Sequence, residues 1–126
     1  MKGILLYGPP GTGKTFLAKA IAKESDSNFI SISAADILSK WVGEAAKNVA
    51  KLFDIAREKA PCTIFIDEID SMCKKRGSGK ESESSGQEKT EFLAKMDGIG
   101  SEKERVFVLA ATNLPWSLDD ALLRRF

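Results

Sequence analysis

No histidine occurs anywhere in the chain, and only two cysteines, Cys62 and Cys73, so the residues that most often run acid–base, thiol or zinc chemistry are absent or scarce. Without imidazole, serine and cysteine proteases of the usual kind are excluded, and any proton transfer must rest on carboxylates, lysines or water. Two thiols with no companion pair supply neither a zinc site nor a disulfide framework, which fits a reducing compartment. No apolar run approaches the roughly 18 residues of a membrane span, and the apolar part of "MKGILLYGPPG" is too short for a signal peptide. Charge of one sign is lacking too: the net charge is +1, which gives no electrostatic reason to expect nucleic acid or an anionic membrane as partner.

What is present is ordinary soluble composition, 43% hydrophobic and 29% charged over 126 residues. That length supports one domain, or a piece of one, whose core buries about two thirds of the unfolded surface. Four apolar or β-branched runs, Ile4–Tyr7, Asn28–Ile32, Thr63–Ile66 and Val106–Ala110, are nearly continuous rather than alternating, the pattern of strands covered on both faces. Between them lie helical periodicities. Lys14–Lys23 brings Leu17, Ala18, Ile21 and Ala22 to one side; Ala46–Lys59 does the same with Val49, Leu52, Phe53 and Ala56; Phe92, Leu93 and Met96 repeat the spacing; Leu118–Arg125 closes the chain as a short helix. Strand–helix alternation predicts an α/β fold, a parallel sheet between layers of helices. The polar, Gly- and Ser-rich stretch 74–87 breaks the rhythm and predicts a solvated loop.

The first chemical signal is "GPPGTGKT", Gly8–Thr15, lying between the first strand and the first helix. It satisfies GxxxxGK[ST] in the context that motif requires. Glycines at 8, 11 and 13 let successive backbone N–H groups turn toward phosphate oxygens, and the helix that follows adds the positive end of its dipole. Gly8, Pro9, Pro10, Gly11, Thr12, Gly13, Lys14, Thr15 and Phe16 form the candidate nucleotide cradle, with Lys14 reaching the β- and γ-phosphates of ATP and Thr15 supplying a hydroxyl to Mg²⁺.

The second signal is "TIFIDEID", an apolar strand that ends in acids. Open α/β sheets bind ligands at the carboxyl ends of their strands, so Asp67 is placed to hold Mg²⁺ and Glu68 to polarise an attacking water. Asp70 fits a helix cap and a catalytic role equally well. The glutamine and the guanine-reading Asn-Lys-x-Asp signature of Ras-type GTPases are not visible. Farther on, "AATN" brings Asn113 to the same sheet edge, as a water-orienting amide or as a turn residue. Arg124 and Arg125 end the last helix, where dipole complementarity alone would accommodate them. "SKWVGE" leaves Trp41 and Val42 in a turn, facing either the core or a partner.

Taken in order and spacing, "GPPGTGKT", "SKWVGE", "IFIDEID", "AATNLPW" and "LDDALLRRF" resemble the large, nucleotide-binding subdomain of an AAA ATPase. The resemblance covers essentially residues 1–126 and is strongest to the meiotic clade of vacuolar-protein-sorting, katanin, spastin and fidgetin ATPases, with Trp41 and the Leu-Pro-Trp after Asn113 most similar to the vacuolar-sorting member. It implies a P-loop NTPase (ASCE/AAA) fold in three α/β/α layers, with ATP and Mg²⁺ bound between subunits of a hexameric ring. It further implies Lys14 and Thr15 as Walker A, Asp67 and Glu68 as Walker B, Asn113 as the first sensor, and Arg124 and Arg125 as fingers reaching a neighbour's γ-phosphate, worth ~10³–10⁵ in rate. Lys40, Trp41, Val42 and Gly43 become a pore loop that grips polypeptide, and 74–87 falls where a second pore-side loop lies.

The implied activity is ATP-driven protein remodelling: disassembly of ESCRT-III-like filaments in the cytoplasm at endosomal membranes, with membrane association only through partners and no nucleic acid. A katanin-like enzyme acting on tubulin tails, or a nucleotide-gated scaffold without useful hydrolysis, are the alternatives. Gly86 and Gln87 stand where relatives carry an Arg-Arg pair that contributes to contacts within the ring. The family's strand order is five-one-four-three-two, and the chain is expected to be a fragment: it begins at the phosphate-loop strand and ends before the fifth strand and the helical lid. On its own it is expected to hydrolyse ATP weakly or not at all.

Overall fold

A computed structural model describes residues 3–9, 13–40, 45–72, 85–98 and 105–126. Strand β1 (Gly3–Tyr7) leads through the phosphate loop into helix α1 (Lys14–Glu24), then β2 (Asn28–Ser33), α2 (Ala34–Lys40) and α3 (Ala45–Glu58). β3 (Cys62–Asp67) is followed by a 3-10 turn over Ile69–Ser71, then α4 (Ser85–Gly98), β4 (Val106–Thr112), a second 3-10 turn over Pro115–Ser117 and α5 (Asp120–Leu123). The four strands form one parallel sheet in the order β1-β4-β3-β2. The strand–helix alternation thus gives the expected doubly covered parallel sheet.

Register follows from what each strand buries. Ile64 pairs with Val108 and Ile66 with Ala110, and all four face the larger core, with Val49, Leu52, Phe53, Phe92 and Met96. Phe65 pairs with Leu109, and both face the opposite side, where Ala18 of α1 packs with Ile4, Leu6 and Phe29. Side chains of successive strand residues point to opposite faces, so a strand reads as continuously apolar when both faces are covered. β3 and β4 show this outright: Cys62 to Ile66 are buried, as are six of the seven residues of β4. β1 and β2, at the two edges, are mostly half-buried. Each core holds a ring pair, Phe53–Phe92 at 5.9 Å in the larger and Phe29–Phe65 at 6.3 Å between centroids in the smaller.

Three details depart from expectation. In α1 the fully buried residues are the small Ala18 and Ala22, Ile21 packs half-buried against the smaller core, and Leu17 stays 47% exposed. The apolar stripe is narrower than its periodicity implied, because an alanine face lets the helix lie close to β3 and β2. The closing helix is shorter than Leu118–Arg125: the Asp119 carboxylate accepts the Ala121 N–H at 2.9 Å, so the N-cap falls at Asp119 and α5 starts at Asp120. Residues 85–87 form the first turn of α4, so the helix begins inside the stretch read as loop; 73–84 lie outside the described residues, as do the side chains of Gln87 and Glu88. Among the described residues no helix is long and apolar enough to cross a membrane.

Candidate functional site

The carboxyl ends of β1, β3 and β4 deliver the chemistry-bearing residues to one edge of the sheet. β1 runs into Gly8, whose N–H donates to the Thr112 carbonyl at 3.3 Å, so the start of the phosphate loop is tied to the end of β4. Gly13 precedes α1 at φ 82°, in the left-handed region that glycine enters without strain. The first helical bond runs from Leu17 N–H to the Gly13 carbonyl. Among the described residues no side chain caps this helix, and no acid lies in its first turn. An N-terminus so arranged offers N–H groups and positive potential to an anion with no competing carboxylate.

Lys14 connects the loop to the sheet. Its ammonium donates to the Gly8 carbonyl at 2.7 Å, the Pro9 carbonyl at 3.2 Å and Asn113 Oδ1 at 2.9 Å. An ammonium has three hydrogens, and these three acceptors match them. Asn113, ambiguous in the sequence, therefore stands beside the loop lysine, ninety-nine residues away in the chain.

The acids after β3 are arranged individually. Asp67 Oδ1 accepts the Glu68 N–H at 2.8 Å. Glu68 sits at φ 55°, ψ 43°. A non-glycine residue held there costs of order 1–2 kcal/mol, and such residues gather at active sites; Asp26 and Arg105 share the positive φ away from this edge, so position as well as angle marks Glu68. The Glu68 carboxylate is exposed, and its Oε2 accepts the Ser33 hydroxyl at 3.2 Å; its other oxygen has no partner among the described residues. Ser33 also accepts the Ala35 N–H at 3.2 Å, capping α2. Asp70 accepts the Thr112 hydroxyl at 2.7 Å and does not cap its own turn, where the cap position is Glu68.

Ser33 and Thr112 are the residues that sequence reasoning did not single out. Serine directly before "AADIL" was a readable N-cap signal, and "AATN" placed a hydroxyl next to the candidate asparagine; neither pattern reveals a carboxylate partner more than thirty residues away.

Other expected residues lie elsewhere. Thr15 and Phe16 are exposed at the start of α1, Phe16 at 79%. Arg124 is exposed, and its side chain has no partner among the described residues. Arg125 is bound within the chain, through Asp97 and the Ala121 carbonyl, the latter at 2.6 Å. Pro10, Gly11, Thr12, Trp41, Val42 and Gly43 fall outside the described residues, as does the side chain of Lys40. The Cys62 thiol is pushed up by burial, against a smaller opposing pull from Lys59, which leaves it a packing residue of β3.

A parallel three-layer sheet with a glycine-rich loop, a loop lysine and strand-end acids at its carboxyl edge defines a P-loop nucleoside-triphosphatase fold. The match is closer than the fold alone. Residues 4–126 fit the model of the ATPase family associated with various cellular activities (AAA), and the chain belongs to that family. It is 58% identical over 125 residues to Protein SUPPRESSOR OF K(+) TRANSPORT GROWTH DEFECT 1 of Arabidopsis thaliana and 56% identical over 126 residues to Vacuolar protein sorting-associated protein 4B of Mus musculus. It covers 29% and 28% of those proteins, and 99% of itself is covered in each comparison. The A-like 2 form of the katanin p60 ATPase-containing subunit, from Xenopus tropicalis, is 56% identical, over 98% of this chain and 23% of that protein. Among solved structures, the FIGL-1 AAA domain in complex with ADP superposes with a TM-score of 0.85 at 51% identity, over 99% of this chain and 40% of that one. The chain thus spans less than a third of the length of these curated relatives.

Proposed function

We propose that this chain is the nucleotide-binding part of an ATP-hydrolysing, protein-remodelling AAA enzyme of the vacuolar-sorting type. The observation that carries the reading is the Lys14 ammonium, held between the phosphate-loop carbonyls and Asn113 at the carboxyl edge of the sheet. Phosphate oxygens of ATP would exchange with these acceptors, and Lys14 would neutralise charge that grows on the transferring group.

The donor set fits ATP with Mg²⁺. The uncapped, acid-free start of α1 suits a polyphosphate. Thr15 and Asp67 are hard oxygen donors, and Mg²⁺ ordinarily takes only one or two protein oxygens beside phosphate and water. That accords with the lack, among the described residues, of any cluster of three His, Cys, Asp or Glu. When bound there, Mg²⁺ supplies charge neutralisation at the phosphate oxygens. Glu68, anchored through one oxygen by Ser33, takes a proton from water through the other; a positioned base of this kind contributes about 10²–10⁴ in rate.

At the level of the whole protein, Arg124 and Arg125 would act on a neighbour's nucleotide in a hexameric ring. The loop Lys40–Gly43 would draw polypeptide through the centre. The substrate class is ESCRT-III-like filaments at endosomal membranes, by likeness to the vacuolar-sorting relatives. The 56% identity to a katanin relative keeps tubulin tails as the second substrate class. The test is Glu68→Gln in the natural full-length protein. Turnover should fall about 100-fold or more while ATP binding persists, and the variant should trap ATP and filament substrate. Undiminished phosphate release would refute hydrolysis by this site; identical filament behaviour of both proteins would point to a scaffold.

A further inference from the structure

We propose that Asp70 and Thr112 form a positioning clamp that sets Asn113 against the Lys14 ammonium; the inference rests on the ATPase reading above and deepens it. Thr112 ends β4 only 1% exposed, so its hydroxyl needs protein partners. It has them on both sides. The hydroxyl donates to Asp70 Oδ1 at 2.7 Å, and the same oxygen accepts the Leu114 N–H at 2.9 Å. A hydroxyl has one hydrogen to give; committing it to a carboxylate turns a lone pair toward Leu114 and fixes the rotamer. The Thr112–Leu114 bond spans residue 113, so the turn carrying Asn113 is closed by the group that Asp70 orients.

The same threonine reaches the phosphate loop by its backbone, its carbonyl accepting the Gly8 N–H at 3.3 Å. Thr112 therefore joins three segments: the turn after Glu68, the asparagine turn and the first residue of the loop. The three acceptors of the Lys14 ammonium do not include Asp70, and Asp70 does not cap its own turn. Its carboxylate is spent on β4, two residues beyond the proposed base. Asp70 and Thr112 are thus positioning residues, and a shift in the Glu68 turn is transmitted to Asn113 through one short hydrogen bond.

The test uses Asp70→Ala, Thr112→Val and Thr112→Ser in the natural full-length protein, with ATP turnover, binding of a fluorescent ADP, and thermal unfolding read together. Displacing a reacting group's neighbour can cost up to about 100-fold, so kcat should fall about tenfold or more in Asp70→Ala and Thr112→Val. KM and ADP affinity should stay within about threefold, since Lys14 and the loop are untouched, and Thr112→Ser, which keeps the hydroxyl, should retain at least about half the turnover. Thr112→Val added to Asn113→Ala should lose nothing beyond Asn113→Ala alone. Wild-type turnover in Thr112→Val, losses that multiply in the double variant, or no rescue by serine would overturn the clamp. Amide hydrogen exchange at Leu114 gives a second reading: it should accelerate about tenfold or more in Asp70→Ala, and an unchanged rate overturns the proposal whatever the turnover. If Asp70→Ala does not fold, Thr112→Val, which removes the oxygen that accepts the Leu114 N–H, carries both measurements. Absence of ATP turnover in the wild type would refute the enzyme reading instead, and the exchange rate alone would then decide the clamp.

Discussion

Arg125 grips Asp97 with two parallel hydrogen bonds, Nε to Oδ1 at 3.1 Å and Nη2 to Oδ2 at 2.9 Å, which joins the end of α5 to α4. Its remaining Nη1 donates to the Ala121 carbonyl, one turn back. A fork-to-fork pair of this geometry exceeds an ordinary surface ion pair in strength. The two terminal arginines should therefore separate on substitution. Arg125→Ala is expected to lower stability by about 1 kcal/mol, and Arg124→Ala to change it by less than about 0.5 kcal/mol. Both should lower turnover in an assembled ring. Denaturant melts beside ATPase rates would check this; equal stabilities would show that the ion pair holds nothing together.

Ser33 serves two masters, the first turn of α2 and the Glu68 carboxylate. Removing its hydroxyl by Ser33→Ala should cost about 0.5–2 kcal/mol as a lost cap. It should also free Glu68, so kcat should change while nucleotide affinity holds. A fluorescent-nucleotide titration and a steady-state assay separate the two effects.

Gly3 and Gly13 predict opposite kinds of failure. A Cβ at Gly3 would stand 2.7 Å from the Val108 carbonyl oxygen and 2.8 Å from Phe126 Cε1. The ring could turn away, but the β4 backbone cannot, so Gly3→Ala should destabilise by about 1–3 kcal/mol through overpacking. A Cβ at Gly13 meets nothing within 4 Å among the described residues, yet φ there is +82°. Gly13→Ala is expected to cost about 1–2 kcal/mol of backbone strain, and to weaken nucleotide binding as the loop relaxes. Thermal unfolding and ADP titration on both variants would reveal the contrast.

Cys62 lies on β3 with 1% of its surface exposed, and burial raises its thiol pKa. A raised value means less thiolate at any pH below it, so alkylation should be suppressed twice over, by access and by ionisation. Iodoacetamide should label Cys62 in the native protein at least about 100-fold more slowly than in urea, where the site opens only through unfolding. Rapid native labelling would place the strand elsewhere.

Much of this arrangement was legible in the residues themselves. β3 and β4 were readable because Ile64, Phe65 and Ile66, like Val108, Leu109 and Ala110, fill both faces of the sheet, and doubly covered strands need no alternation. The Gly8–Thr15 motif was readable because anion binding demands glycine, lysine and a hydroxyl at fixed spacing. What stayed open depended on distant partners. Leu17 looked buried by period alone, but the face of α1 turned to the sheet carries Ala18, Ala22 and the half-buried Ile21 and leaves Leu17 outside. Asp70 fitted a cap and a catalytic role equally well until Thr112, forty-two residues on, supplied its donor. Local propensity also says nothing of the left-handed turn at Glu68, which the packing of Ile69 beneath it accompanies.

The pairing of β1 with β4 has a consequence for how the protein is made. Gly3 through Tyr7 lie against Val108 through Thr112, and Lys14 waits ninety-nine residues for Asn113. At roughly 5–20 residues per second of translation, that interval is about 5–20 seconds. During it the nascent phosphate loop has no neighbouring strand to settle on. A ribosome stalled before residue 106 would hold β2 and β3 side by side and β1 unmatched, so nucleotide capture waits until β4 has been made.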